Sequence, residues 1–155
     1  MVLRQAQEDR EAQLRAEGWR RLPAVRYTAA VGPSWMKLLD GMPIVGLEAQ
    51  EHLGNDNLGI VHGGAIMTFA DMALGCATAY ALGGKANFVT AQMQVYFTAA
   101  AKIGEFITCH PEVVRKTSSL VFVRGLIEAG GRTVASADGM FKLLDEGKMA
   151  GMKAG

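Results

Sequence analysis

The chain has 155 residues, of which half are hydrophobic and 20% are charged. This length and balance suit a compact globular domain with one hydrophobic core. The formal net charge of +1 gives no overall attraction to nucleic acid or to acidic membranes. The charged N-terminus lacks the apolar run of a secretory signal, and polar residues interrupt the longest apolar stretches. We therefore expect a cytoplasmic protein that binds neither nucleic acid nor membranes.

The two cysteines, Cys76 and Cys109, lie in apolar surroundings. Two thiols cannot form a disulfide framework, and the ordinary interpretation is that both are reduced and buried. Neither has a second Cys or a His at the spacing of zinc ligands, so we expect no metal site.

Residues 1–41 predict a helical extension at the N-terminus. Residues 1–17 carry charges of both signs, which indicates an exposed helix with salt bridges. The segment "GPSWMKLLDG" at 32–41 has the pattern of a short amphipathic helix, with Ser34 as its cap and Gly41 as its stop.

From residue 42 onward the predicted order is one strand, one long helix and four more strands. The segment 42–50 predicts the first strand, and the helix extends from Gly63 to Leu82, where Gly83-Gly84 ends it. Alternating apolar and polar residues predict the four later strands at 87–99, 104–116, 119–129 and 132–144.

Turn residues and alternation add detail to these four strands. Gly130-Gly131 predicts a hairpin between the last two strands, and Pro111 indicates a bulge or an edge position. The alternation in the first of the four places Thr90 and Gln92 together on its polar face.

This order of elements predicts the fold class. An antiparallel sheet wrapped around one helix fits it better than a βαβ fold, in which helices alternate with strands. We expect an α+β fold with a single domain over residues 1–155, in which residues 145–155 form a frayed C-terminal tail.

Small and polar residues follow one stripe of the long helix. The members of this stripe are separated by steps of 4, 3, 4 and 3 residues, and they are Gly64, Thr68, Asp71, Gly75 and Thr78. The rest of the helix is apolar. An isolated buried carboxylate is costly unless it has partners. Asp71 is therefore either a hydrogen-bonded structural residue or a functional group that serves a cavity along the stripe.

The helix begins with His62-Gly63-Gly64. The first turn of a helix presents unpaired N–H groups that can stabilise an anion or a developing oxyanion; the alternative is that the two glycines only ease a tight turn. Gly63 and Asp71 are eight residues apart, roughly 12 Å along a straight helix. If the two cooperate, one subunit supplies the helix start and another supplies the carboxylate, as in a two-fold dimer.

The segment "NLGIVHGGAIMTFADMALG" (57–75), followed by "FVTAQMQVYFTAAAKIGE" (88–105), strongly resembles the hotdog-fold acyl-CoA thioesterases. It looks most like the phenylacetyl-CoA thioesterase (PaaI-like) branch with the HGG signature, and the resemblance covers about residues 42–144. The resemblance implies a long helix wrapped in an antiparallel sheet, assembled as a homodimer or a homotetramer.

The same resemblance implies roles for individual residues. Asp71 would act as a general base toward water or as a nucleophile on the thioester carbonyl. The N–H of Gly63 would stabilise the oxyanion, and His62 would shape that turn. Thr90 would position the water. No metal or redox cofactor is expected, because a thioester is already reactive and the site only has to place water and stabilise charge. Coenzyme A is part of the substrate.

Relatives usually place an asparagine six residues before the histidine, where it orients the substrate or water, but this chain has Asp56, flanked by Asn55 and Asn57. A neighbouring asparagine takes the role through a shifted loop, or Asp56 does, or catalysis is altered; we favour Asn57 as the catalytic residue. The remaining candidates for substrate binding are Gly64 and Thr68 on the stripe, and Arg115 and Lys116, which either contact coenzyme A phosphates or are solvated strand ends.

The sequence thus predicts hydrolysis of acyl-CoA to free acid and coenzyme A. The first alternative is an enoyl-CoA hydratase on the same fold, although its usual Asp-His pair is missing. The second is a non-catalytic acyl-CoA-binding protein. Met67 and Met72 suit an adaptable apolar pocket, so the acyl group is left open.

Overall fold

The computed structural model describes residues 1–153 of the chain. One long helix packs against a seven-stranded antiparallel sheet, which confirms the predicted arrangement. The helices are α1 (Val2–Ala16), α2 (Gly63–Ala81) and α3 (Glu146–Lys153), and short 3-10 helices cover Arg26–Ala30 and Glu51–Leu53. The strands are β1 (Arg20–Arg21), β2 (Ser34–Leu39), β3 (Met42–Glu48), β4 (Phe88–Phe97), β5 (Phe106–Lys116), β6 (Leu120–Ala129) and β7 (Arg132–Leu143).

The strands are ordered β1-β2-β3-β5-β6-β7-β4, and every neighbouring pair is antiparallel. The chain passes from β5 through β6 to β7 by successive hairpins. By contrast, β4 directly follows α2 and pairs with β7 at the far end of the sheet. One edge of β4 is consequently unpaired among the described strands, which makes it available to another chain.

The helix α2 is buried because apolar residues occupy most of its circumference. The sheet approaches this helix closely where it carries a glycine. A Cβ added to Gly139 of β7, for example, would lie 3.0 Å from Leu74 Cδ1. The residues of α2 that are buried against the sheet and its flanking segments are Ile66, Phe69, Ala70, Ala73, Leu74, Ala77 and Thr78.

The turn and edge predictions for the later strands are confirmed. Gly130 and Gly131 have φ values of 56° and 75°, and two left-handed residues in succession form the hairpin turn that matches strand twist. Pro111 pairs with Gly125 of β6. On its other side it has no partner in β3, because the pairing of β5 with β3 ends at Cys109. This edge position needs no amide donor, so proline is tolerated there.

The predicted helix at 32–41 is wrong, because this segment forms β2 and its turn into β3. The two strands pair in register from Ser34 with Leu47 to Leu39 with Met42. Asp40 and Gly41 have φ values of 50° and 77°. Asp-Gly at a two-residue turn is a strong hairpin signal. Within the extension at 1–41, only Val2–Ala16 is α-helical, and Arg26–Ala30 forms a short 3-10 helix.

The outer face of the sheet has a small core of its own under α1. Leu14 of α1 and Trp19 pack with Trp35 and Ile44, all nearly inaccessible to solvent, and Phe106 joins them. The α1 helix is therefore anchored to the face opposite α2. It stabilises the sheet without approaching the polar stripe.

Most of the segment predicted as a frayed tail at 145–155 forms α3. The Oδ1 atom of Asp145 accepts a hydrogen bond of 2.7 Å from the Lys148 N–H, which caps the start of α3. The last two residues of the predicted tail lie outside the described residues. None of the helices in residues 1–153 is long and apolar enough to cross a membrane.

Candidate active site

Asp71 and Thr90 are in direct contact. Thr90 Oγ1 donates a hydrogen bond of 2.6 Å to Asp71 Oδ1, which joins α2 to β4. A length in this range is typical of a hydroxyl that donates to a carboxylate. Asp71 is only half-buried, although most of α2 around it is buried. The carboxylate is thus oriented by a partner and also remains accessible.

A β-bulge in β4 directs Thr90 toward the helix. Thr90 pairs with Phe141, and Gln92 pairs with Met140, which is adjacent to Phe141 in β7. Ala91 is therefore an extra residue without a partner. Before the bulge, Phe88 lies on the same side of the strand as Thr90 and packs against the core. After the bulge, Met93 packs against the core, so Gln92 lies on the opposite side. The predicted polar face shared by Thr90 and Gln92 is therefore wrong, because the bulge reverses the alternation between them.

His62 caps the start of α2. Its Nδ1 atom accepts a hydrogen bond of 2.9 Å from the Gly64 N–H, and its carbonyl accepts from Ala65 and Ile66. An acceptor Nδ1 carries no proton. The Gly64 amide is therefore occupied. The Gly63 N–H has no hydrogen-bond acceptor within residues 1–153 and is the open donor at the positive end of the helix.

A cleft of about 400 Å³ opens beside Gly63. Phe97 forms part of its wall, since a Cβ added to Gly63 would lie 3.6 Å from Phe97 Cζ. Asn55 also lines this cleft, whereas Asp56 and Asn57 are exposed and do not line it. Asn55 Oδ1 accepts a hydrogen bond of 3.1 Å from the Asn57 N–H, which closes an Asx-turn in this loop.

Of the two neighbouring asparagines left open by the sequence, the structure thus places Asn55 in this cleft and not the favoured Asn57. The spacing from the histidine falls on Asp56, and of its two neighbours the sequence interpretation favoured Asn57. The only available signal was the Asx-turn pattern of Asn55 followed by Asp56-Asn57.

Gly63 and Asp71 remain apart within one chain. The α2 helix continues without interruption from Gly63 to Ala81, so the two residues are separated by about 12 Å along its axis. One chain therefore assembles the Asp71–Thr90 pair and, separately, an open amide in the Gly63 cleft. A single carbonyl cannot contact both in the same chain.

A second, smaller cleft of about 230 Å³ lies beside the first two turns of α2. Tyr27 borders it, and its hydroxyl lies 3.0 Å from Thr68 Oγ1. His62, Gly64 and Thr68 line the same cleft, which brings the three predicted substrate-binding residues of the helix together. Tyr27 was not identified from the sequence, because it lies in a short segment without periodicity.

Arg115 and Lys116 lie at the other end of α2. Lys116 Nζ donates to the Ala81 carbonyl at 3.3 Å, and a cation at this position complements the helix dipole. This carbonyl is about 27 Å along the axis from Gly63. Arg115 is exposed on the neighbouring position of β5. Within one chain the structure thus does not bring either residue to the helix start.

An ion pair supports the loop that precedes the helix. Arg132 donates to both carboxylate oxygens of Glu105 at 2.9 and 2.8 Å, and the Lys102 N–H also donates to this carboxylate. These hydrogen bonds, chiefly those from Arg132, lower the pKa of Glu105 from 4.5 to about 2. The Val61 N–H donates to the Ala101 carbonyl in the supported loop. The ion pair therefore fixes the chain just before His62.

The cysteines take no part in this arrangement. Burial raises the pKa of Cys76 to about 11, and burial is also the main cause that raises the pKa of Cys109 to about 12. Both thiols are free, and neither is ionised near neutral pH. Over the part of the chain that the structure describes, no group of three or more His, Cys, Asp or Glu side chains is placed to hold a metal ion.

The chain is similar to several known proteins. A protein of Pseudomonas aeruginosa named Putative esterase PA0474 is 33% identical over 85 residues, which are 55% of this chain and 63% of that protein. The match therefore spans less than two thirds of this relative. The solved structure of conserved protein PA5202 from Pseudomonas aeruginosa has a TM-score of 0.70 and 27% identity, and covers 77% of this chain and 94% of its own.

A mutant of the phenylacetic acid degradation protein PaaI from Thermus thermophilus shares the fold. Its TM-score is 0.61 at 18% identity, with 86% of this chain and 99% of its own chain covered. These neighbours confirm the α+β hotdog fold. The family model described as the thioesterase superfamily matches residues 58–136, which are half of the chain and include α2 and its His-Gly-Gly start. This chain belongs to the thioesterase superfamily.

Proposed function

We propose that this protein hydrolyses acyl-CoA thioesters to the free acid and coenzyme A, at a site shared between two subunits. The observation that carries the proposal is the 2.6 Å hydrogen bond from Thr90 to Asp71 on the accessible stripe of a buried helix. A carboxylate held in this way can activate water next to a carbonyl group. Membership of the thioesterase superfamily supports the same reaction.

Two chemical routes use the same groups. As a general base, Asp71 takes a proton from water while the water oxygen attacks the thioester carbonyl, and the C–S bond breaks as coenzyme A leaves. As a nucleophile, Asp71 attacks the carbonyl itself, coenzyme A leaves, and water hydrolyses the resulting anhydride. In both routes Thr90 fixes the orientation of the carboxylate. The thiolate leaving group is finally protonated by solvent or by the acid formed.

The oxyanion needs a donor that Asp71's own chain cannot supply. In this proposal the open N–H of Gly63 of the partner subunit stabilises the negative charge on the carbonyl oxygen, supported by the dipole of that subunit's helix. The distance of about 12 Å along one helix favours this division of labour. Two equivalent sites follow from the two-fold symmetry of such a dimer.

The free edge of β4 supports a homodimer. This strand is ten residues long, and its exposed side chains include Val89, Tyr96 and Phe97. Long edge strands with exposed apolar residues tend to pair with another chain. Pairing two β4 edges about a two-fold axis would continue the sheet and bring both α2 helices to one interface. A homotetramer would need a second interface in addition.

The test is thiol release from a panel of acyl-CoAs by the wild type and by Asp71→Asn. We expect release by the wild type and a loss of at least about 10³-fold in kcat in the variant. Asp138→Asn is the matched control, since Asp138 is exposed on the outer face of β7 and should retain activity.

The other outcomes contradict the proposal in different ways. If the absorbance of an enoyl-CoA falls without thiol release, the protein is a hydratase. If acyl-CoA binds tightly and neither signal is seen, it is a non-catalytic binding protein. Full activity of Asp71→Asn would remove the carboxylate from the mechanism.

A further inference from the structure

Residues 98–105 form the loop that connects β4 to β5, and its first part, 98–101, lines the cleft beside Gly63. Because β5 lies beyond β7 and β6 in the sheet, this loop crosses the ends of both strands. The turn between β6 and β7 lies at these ends, and Arg132 directly follows the turn. The loop that borders the open Gly63 amide therefore passes Arg132.

The guanidinium of Arg132 joins this loop to the end of β6. Nη1 donates to Glu105 Oε1 at 2.9 Å and to the Ala129 carbonyl at 3.0 Å. Nη2 donates to Glu105 Oε2 at 2.8 Å and to the Ala100 carbonyl at 2.6 Å. Each Nη atom carries two hydrogens, so all four are used within the chain. The planar fork thus fixes the loop at two points, Ala100 and Glu105, against one strand end.

The Arg132–Glu105 ion pair is closely packed against the turn. A Cβ added to Gly130 would lie 2.5 Å from Arg132 Nη1 and 2.7 Å from Glu105 Oε1, so the glycine leaves the space that the pair occupies. The two side chains are 34% and 22% exposed, whereas those of the Arg124–Glu112 pair on the outer face of the sheet are 59% and 64% exposed. A packed, bidentate pair holds a defined geometry, which exposed pairs seldom do.

The loop contacts the segment before α2 through the backbone. The Val61 N–H donates to the Ala101 carbonyl at 2.8 Å, and this carbonyl directly follows the one that Arg132 holds. The Gly63 N–H comes two residues after Val61. An oxyanion donor has to lie about 2.7–3.1 Å from the charged oxygen, and a misplacement of about 1 Å can cost a factor of about 100 in rate. The placement of Ala101 therefore affects the proposed donor.

We propose that Arg132 is a positioning residue for the oxyanion donor: it fixes the Ala100–Ala101 segment and thereby the place of the Gly63 N–H of its own chain. The inference rests on the proposed thioesterase function and deepens it. Glu105 belongs to the same device, because it holds the guanidinium in its orientation. Since its four Nη hydrogens are already used, Arg132 acts through Gly63 and does not bind coenzyme A.

The experiment is a double-mutant cycle measured by steady-state thiol release. Arg132→Lys keeps the charge and loses the fork, so a single ammonium cannot hold Glu105 and the Ala100 carbonyl in the same geometry. We expect kcat to fall about 10- to 100-fold, with KM within about threefold of the wild type. In a Gly63→Pro background no donor is left to position, so the same substitution should change kcat by less than about threefold.

Three comparisons control this experiment. In a Thr90→Val background, which keeps the amide donor, Arg132→Lys should retain its full effect on kcat. Arg124→Lys makes the same substitution in the exposed ion pair and should keep kcat within about twofold of the wild type. Glu105→Gln is the second variant of the device and should lower kcat by a smaller factor, because its amide oxygen still accepts a hydrogen bond. Thermal unfolding checks that each variant is folded at the assay temperature.

Two results would overturn the inference while the thioesterase function stands. One is an unchanged kcat in folded Arg132→Lys, and a rise in KM alone would make Arg132 a contact of coenzyme A. The other is a loss of kcat by the same factor in the Gly63→Pro background as in the wild type, because Arg132 would then act independently of the donor. A wild type that releases no thiol from any acyl-CoA would contradict the proposed function, and this inference with it.

Discussion

Replacing Thr90 by valine removes the hydroxyl that donates to Asp71 and keeps the branched shape of the side chain. Thr90 is exposed on an edge strand where valine is a good strand former, so we expect the fold to tolerate the change. The carboxylate, however, loses the 2.6 Å hydrogen bond that orients it. The effect should therefore fall on catalysis and leave stability nearly intact.

The size of the effect follows from the kind of hydrogen bond that is lost. A hydrogen bond to a charged group contributes about 1.5–3 kcal/mol, and water can replace part of it because Asp71 is half-buried. At about 1.36 kcal/mol for each factor of ten, a full loss would lower kcat about 10- to 150-fold. We expect a value in the lower half of this range, with a small change in KM.

The assay compares steady-state thiol release by the wild type, Thr90→Val and Thr90→Ser, with thermal unfolding as the check on folding. Thr90→Ser retains a hydroxyl and should stay within about threefold of the wild type. An unchanged kcat in Thr90→Val would refute the reasoning, as would a Thr90→Ser variant that is as slow as Thr90→Val.

Two further predictions concern the helix start and the ion pair beside it. Gly63→Pro removes the open N–H at the first position of α2, where proline is favoured, and the ψ of 136° at His62 permits a following proline. We expect kcat to fall by about 10²–10³-fold with little change in Tm, whereas Gly63→Ala, which keeps the N–H, should lose less. Glu105→Gln should lower the free energy of unfolding at pH 7 by about 1–2 kcal/mol. Because the pKa of Glu105 is lowered to about 2 in the folded state, the wild type keeps this stabilisation above about pH 4.5 and loses it as the pH falls toward 2. The free energy of unfolding of Glu105→Gln, measured by chemical denaturation across this pH range, should lack the part of the pH dependence that comes from Glu105. A pH profile identical to that of the wild type would contradict the assignment.

The sequence predicts the parts of the fold that depend on local patterns. The apolar periodicity, the His-Gly-Gly start and the closing glycines delimit α2, and the structure has this helix at Gly63–Ala81. The glycine pair at 130–131 similarly predicts its hairpin. In these segments local preference and tertiary packing agree, so the pattern alone is sufficient.

The errors arise where pairing between distant residues decides the local structure. The spacing of apolar residues at 32–41 fits a helix turn, but pairing with β3 overrides it, and the glycine that resembles a helix stop belongs to an Asp-Gly hairpin turn. The extra residue at Ala91 is likewise invisible in the sequence, because a bulge depends on the neighbouring strand β7. That bulge nevertheless places Thr90 against Asp71.

The site residues that the sequence did not single out lie on loops. Asn55 and Tyr27 reach their positions through turn geometry and long-range contacts, and no periodicity marks such segments. The thioesterase resemblance supplies Asp71, Gly63 and Thr90 as candidates, and the structure brings the first and the last of these together. The proposed role of Gly63 depends on a second subunit.

The central claim, a site shared between subunits, is tested most directly by mixing two inactive variants. Asp71→Asn lacks the carboxylate and Gly63→Pro lacks the amide donor, and we expect each to have almost no activity alone. After unfolding and refolding together at equal concentrations, half of the dimers should be mixed, and each mixed dimer should contain one intact site of two. We predict recovery of about a quarter of the wild-type thiol release per subunit. A mixture that stays as inactive as its two components, although mixed dimers form, would contradict the account.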